Sequence, residues 1–170
     1  MAKKISLREF QEHLATRLRS AVEGQATSAL LGIQAGSDYW LLSLSDSGEI
    51  VPLTPLTQVP LTRPWFAGIA NIRGNLHAVA DFSAFQGGEP TPQNASSRLL
   101  LVGTRHGNNA ALLVTRMLGL KNPENLTAAP ADPDAAAWVA ASYTDAEGRR
   151  WKKLGVRELL ADKAFMEIAA

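Results

Sequence analysis

From Ala29 onward the chain is written as short apolar runs punctuated by turn residues, a pattern that points to strands rather than helices. Ala29–Gln34, Asp38–Leu44 and Ile50–Leu53 are separated by Ala35-Gly36-Ser37 and Asp46-Ser47-Gly48, the spacing of a β meander. If the second of these strands is regular, Trp40, Leu42 and Leu44 share one face and read as core. Val51–Pro64 then places four prolines in fourteen residues, which forbids a regular helix and confines any strand there to a sheet edge. That segment reads as an extended connector.

The connector leads into Trp65–Phe82. Ile69–Ile72 and Leu76–Asp81 are apolar runs joined by Arg73-Gly74-Asn75, and Gly and Asn are the residues that most readily take positive φ in a tight turn. A hairpin is predicted, with Arg73 at or next to its tip. A long cation there either reaches water, bonds neighbouring carbonyls and buttresses its own turn, or projects from a rigid platform towards a partner. Gly74 reads more simply as a turn residue.

Ser83–Gln86 has room for one helical turn ended by Gly87-Gly88, and Glu89–Ser97, polar with two prolines, is the candidate for local disorder. Arg98–Thr104 and Ala110–Thr115 flank His106-Gly107-Asn108-Asn109 as a second hairpin. Met117–Leu120 continues apolar, Lys121–Asp134 reads as loop, and Ala137–Tyr143 pairs with Arg149–Leu154 around Asp145-Ala146-Glu147-Gly148. Val156, Leu159 and Leu160 begin a closing helix. At the other end, Ser6-Leu7-Arg8-Glu9 is a capping box. Leu7, Phe10, Leu14, Leu18 and Val22 make an apolar stripe, and Gly24 is a natural stop. The expected division is an amphipathic helix over 1–24 packed on a domain over 25–170. Two strand-rich runs, joined by a loop and bracketed by helices, predict two small barrels packed face to face.

The chemistry that these residues exclude is as informative. There is no cysteine, which removes disulfides and thiolate sites and suits a reducing cytoplasm. Lys plus Arg is 17 against Asp plus Glu 16, so the chain is not a general polyanion binder. Lys3 and Lys4 precede no apolar core, so the N-terminal stretch does not read as a signal peptide. No stretch is apolar for long enough to span a bilayer. Glycine-rich phosphate loops, Gly-x-Ser-x-Gly elbows and zinc spacings are missing. His13 and His106 read as solvated. His77 and Asp81 share a strand face but stand roughly 13 Å apart, too far for a common ligand or a hydrogen bond. Asp132-Pro133-Asp134 lacks the other ligands of a calcium loop. No catalytic, cofactor-binding or metal-binding residue is assigned.

One basic cluster supports a different class of function. Arg149-Arg150-Trp151-Lys152-Lys153 on a small barrel would track a single-stranded nucleic acid and stack a base on Trp151. Strand alternation divides that charge between two faces, so an exposed, charged edge strand is the simpler reading.

Gly68-Ile69-Ala70-Asn71-Ile72-Arg73-Gly74 resembles the Gly-Val-x-Asn-Leu-Arg-Gly stretch of the CheW-like domain family, and Leu76–Phe82 resembles its following Ile-x-Pro-Val-x-Asp-Leu strand, with Ala78 at the proline. The likeness extends more loosely over Ala29–Leu160, including Leu113–Leu120. The N-terminal helix, Arg63-Pro64-Trp65-Phe66 and Gly119-Leu120-Lys121 look most like the twitching-motility PilI type. The resemblance implies a mainly β fold of two five-stranded SH3-like barrels with a helix at each end. It also implies a cytoplasmic adaptor, recruited to membrane-bound receptor arrays, without enzymatic activity or cofactor. Its partners would be the cytoplasmic tip of a chemoreceptor and the regulatory domain of a CheA-like histidine kinase, with no small-molecule substrate, nucleic acid or inserted membrane. By the same resemblance Asn71, Arg73, Gly74 and Asn75 are the partner-binding residues.

Overall fold

A computed structural model describes residues 11, 12, 14–16, 18 and 29–170. The capping box Ser6–Glu9, His13, Gly24 and the stripe residues Leu7, Phe10 and Val22 lie outside the described residues. Leu14 and Leu18 are helical but 48% and 59% exposed, so at these two positions the stripe is not packed on the domain.

Twelve strands follow: β1 (Leu30–Ala35), β2 (Asp38–Ser43), β3 (Ser47–Pro52), β4 (Leu56–Thr57), β5 (Phe66–Ile72), β6 (Asn75–Asp81), β7 (Arg98–Val102), β8 (Ala110–Val114), β9 (Arg116–Lys121), β10 (Leu126–Ala129), β11 (Val139–Asp145) and β12 (Arg150–Leu154). They form two sheets, ordered β10-β11-β12-β2-β1-β9 and β3-β7-β8-β6-β5-β4. Each sheet has six strands where the resemblance implied five. The proline-rich connector behaves as its composition dictates, contributing only to sheet edges: Val51 and Pro52 end the edge strand β3, and Leu56–Thr57 is the two-residue edge strand β4.

The sheets do not correspond to successive halves of the sequence. The β1–β2 hairpin joins the first sheet with β9–β12, and the whole of β3–β8 is inserted between them as the second. Parallel pairings close the arrangement, with β2 beside β12 and β6 beside β8. These long-range pairings also correct the reading of the basic strand: β12 is interior, held between β11 and β2, and not an edge.

Alternation along the strands builds three apolar clusters. In β2, Trp40 and Leu42 face one way and Leu41 the other, and all three are fully buried. Leu41 joins Leu30 and Trp151 inside the first sheet, where Leu118 of β9 and Leu126 of β10 also reach. Because β9 and β10 are the two edges of that sheet, their shared cluster means the sheet curls round on itself. Likewise Val51 of β3 and Leu56 of β4 meet Ala70, Val79, Leu99 and Leu113 inside the second sheet. The largest cluster lies between the sheets, with Trp40, Phe82, Leu100, Leu112, Trp138 and Leu159 among its members. An aromatic ring taken from water there removes roughly 150–250 Å², a gross gain of about 4–6 kcal/mol before ordering costs.

Three short helices complete the packing. α1 (Phe82–Phe85) is capped by Asp81, which accepts from the N–H of Ala84 at 3.3 Å, and Gly87 at φ 85 stops it. α2 (Val156–Ala161) buries Val156, Leu159 and Leu160, one face at helical spacing. α3 (Lys163–Met166) is capped by Asp162 and buries Phe165.

Two loop expectations are corrected. Glu89–Ser97 has no regular structure, yet Thr91 donates to Asp81 from its N–H at 2.7 Å and its hydroxyl at 2.6 Å, and Ser97 is buried and bonded to the Pro92 carbonyl. These buried bonds argue for order, against the polar composition of the segment. The segment after Lys121 contains β10, which pairs with β11 and was hidden by the flanking prolines.

Asp145 anchors the interior of the first sheet by accepting from Trp151 Nε1 at 2.9 Å, together with the N–H groups of Glu147 and Arg149. The indole bond first, and the two backbone bonds with the nearby Arg149 charge after it, hold this carboxyl below its ordinary value. A carboxyl whose folded-state pKa is depressed contributes stability above its unfolded value, and loses it as pH falls through the folded one. Asp145→Ala is therefore expected to lower the melting temperature at pH 7, with the deficit relative to wild type shrinking below about pH 4. Thermal unfolding followed by tryptophan fluorescence across that range measures it; a pH-independent deficit would refute the assignment.

Candidate partner-binding site

The hairpin forms as its sequence requires, with one change in who carries the turn. Ile72 pairs with Asn75, so the loop is the two residues Arg73 and Gly74, at φ 52 and 83. Two positive φ values in a two-residue loop are the type I′ signature, which matches the twist of the strands it joins. Asn75, expected to share the turn, opens β6, and an arginine takes the left-handed position in its place. Asn71 helps by accepting from the Gly74 N–H at 2.9 Å. At Gly74 a Cβ would meet no neighbour, so it is φ and not space that favours glycine. At Gly68 both φ and space favour glycine: φ is 132, and a Cβ there would come within 2.5 Å of the Thr57 carbonyl, where β4 lies close against a bulge in β5.

Arg73 does not wave freely. Its guanidinium forks onto the carboxylate of Glu49 in β3, Nη1 donating to Oε2 at 2.7 Å and Nη2 to Oε1. The Arg73 side chain is 72% exposed and that of Glu49 39%. Asn71, Arg73, Gly74 and Asn75 are all exposed, as is the next residue, Leu76. The four predicted residues are thus brought together on one rigid turn, and Glu49 is the member that sequence reasoning missed. No local signal marks it, because its pairing with Arg73 spans 24 positions.

The other candidates separate cleanly. His77 and Asp81 both lie in β6 and are buried, but Asp81 serves the α1 cap and Thr91, while His77 Nδ1 has no hydrogen-bond partner among the described residues. His106 is exposed in a single turn of 3-10 helix. Among the described residues no group of three or more His, Cys, Asp and Glu is placed to hold a metal, and no helix is long and apolar enough to cross a membrane. The basic strand offers no stacking platform: Trp151 is 1% exposed. Arg149 lies over the Tyr39 ring at 4.4 Å, and Lys152 pairs with Asp38 at 3.6 Å while sitting over Trp40. These cations are occupied with their own sheet.

An exposed fork of this kind contributes little to stability. A double-mutant cycle of Arg73→Gln and Glu49→Gln is expected to give a coupling of about 0.5–1 kcal/mol in chemical denaturation. A coupling above about 2 kcal/mol would make the pair a structural strut instead.

Residues 29–164 match the family model for the CheW-like domain. Protein PilI of Pseudomonas aeruginosa is 28% identical over 110 residues, 64% of this chain and 61% of that relative, so the match spans about three fifths of the relative's length. The crystal structure of the scaffolding protein TtCheW from Thermoanaerobacter tengcongensis superposes with a TM-score of 0.68 at 18% identity, over 84% of this chain and 99% of the other. At that identity the superposition speaks for the fold alone. With the family model spanning most of the chain and the hairpin motif in its expected place, the protein belongs to the CheW-like domain family.

Proposed function

We propose that the chain is a coupling adaptor that joins the cytoplasmic tip of a chemoreceptor to the regulatory domain of a histidine kinase, in the pathway that controls type IV pilus twitching. The twitching assignment draws on the likeness to PilI. In this reading residues 25–170 are the adaptor domain, 1–24 an appended helix, and the protein is cytoplasmic, reaching the membrane only through its receptor.

The single observation that carries the reading is the Arg73 turn. A non-glycine residue held at φ 52 on an exposed two-residue loop is a conformation that persists only when its surroundings enforce it. Here the hairpin register, the Asn71 bond and the Glu49 fork do so. The guanidinium is thereby presented in a fixed orientation, ready to exchange Glu49 for a carboxylate or carbonyl of a partner helix with little ordering cost. A receptor helix laid along an apolar groove would supply the remaining contact area. Single contacts of this size are weak, and an array of receptors and kinases compensates through avidity.

The test is binding of a receptor-tip fragment and a kinase regulatory domain by wild type, Arg73→Ala and Glu49→Gln. Arg73→Ala is expected to weaken binding tenfold or more with the melting temperature within about 2 °C of wild type, and Glu49→Gln, which frees the guanidinium, to retain binding. A large melting shift with binding intact would mean that Arg73 only buttresses its turn. Wild type that binds neither fragment would overturn the adaptor reading.

A further inference from the structure

Besides Arg73, one other non-glycine residue among those described has positive φ: Leu61, at 58. Leucine has no polar side chain to support a left-handed backbone locally, and this one is 85% exposed, so neither burial nor a side-chain bond offsets the conformation. The backbone around it is held from outside. Arg63 N–H donates to the Ile168 carbonyl at 2.8 Å, Ala170 N–H donates to the Leu61 carbonyl at 3.0 Å, and Thr62 and Ala169 form an antiparallel bridge. Thr62 Oγ1 also donates to the Val59 carbonyl at 2.9 Å. The segment Glu167–Ala170 thus clips Leu61 into a posture that presents its side chain to solvent.

Near this knob lies a hollow. An apolar cavity of about 140 Å³ is lined by Trp65, Phe66, Ala78, Phe165 and Ile168, close to the roughly 150 Å³ of an engineered core cavity that accepts benzene. It continues through Phe66, Ala78 and Ile168 into a shallower apolar depression bordered by Val59 and by Thr62, the residue next to Leu61. The same face carries both signs of charge, Arg63 and Glu167 standing 3.7 Å apart with side chains 44% and 67% exposed.

A knob beside a hollow and a cation beside an anion are what a two-fold interface needs, since one surface must complement itself. We propose that this face pairs with the same face of a second copy of the chain, each Leu61 entering the other's hollow and each Arg63 meeting the other's Glu167. The association goes beyond the adaptor reading and needs neither receptor nor kinase. With so few anchors it is weak, in the range of tens to hundreds of micromolar by order of magnitude.

Sedimentation of the full chain tests it. Wild type is expected to pass from monomer to dimer between about 10 µM and 1 mM. Leu61→Gly, which accepts the left-handed backbone and removes the knob, is expected to weaken association tenfold or more with a melting temperature equal to or above wild type. Arg63→Glu alone should weaken association, and adding Glu167→Arg should restore it. Wild type that stays monomeric to 1 mM, Leu61→Gly that associates as wild type does, or a double reversal that fails to restore pairing would each overturn the proposal. None of these outcomes bears on binding of receptor or kinase fragments.

Discussion

The contact that the rest of the molecule depends on is the meeting of Trp40, Phe82 and Trp138 between the two sheets. Their rings lie 5.0 to 5.9 Å apart at tilted or edge-on angles, the geometry that aromatic quadrupoles favour. Trp40 comes from the hairpin that opens the first sheet, Phe82 from the helical turn that ends the β5–β6 hairpin, and Trp138 from the residue just before β11. Three distant parts of the chain are therefore committed to one cluster. Each curled sheet has only a small interior of its own, so the shared core is what makes the pair a single stable body and the Arg73 turn a rigid platform.

Much of this was legible in the residues, where the signal was local. Arg73-Gly74 between apolar runs gave the hairpin, four prolines gave the connector and its edge strand, and Val156, Leu159 and Leu160 gave the closing helix. The parts that were not legible are those decided by partners far away in sequence. Nothing near Arg150–Leu154 announces that β2 will lie parallel beside it, so a strand with four cations among five residues from Arg149 to Lys153 reads as an edge when it is interior. Nothing near Glu49 announces Arg73. β10 is hidden because Pro123 and Pro130 outweigh the four ordinary residues Leu126–Ala129, while its pairing with β11 supplies the missing energy. Even the turn was read one residue out, because propensity favours Asn at positive φ and the strand register chose Arg73.

The candidate site differs in physical terms from a catalytic pocket. A catalytic pocket concentrates titratable groups whose environments drive their protonation apart. Here the carboxyl of Asp145 is displaced by an indole and two backbone N–H groups that hold a turn. What the chain fixes instead is orientation: two exposed side chains, one cationic and one aliphatic, are set on backbones that unaided leucine and arginine would avoid. Rigidity at those positions lowers the entropy lost on contact, which is the currency in which an adaptor works.

The insertion of β3–β8 between β2 and β9 has a consequence for how the protein comes into being. On the ribosome the opening hairpin emerges early but waits for β9 and β12, so the second sheet, contiguous in sequence, is free to assemble while the first remains a two-stranded hairpin with both outer edges open. The last strand to be made is β12, and its insertion beside β2 is a late, long-range closure of the kind that slows folding. Until the second sheet and Trp138 dock on the opening hairpin, Trp40 has no lid.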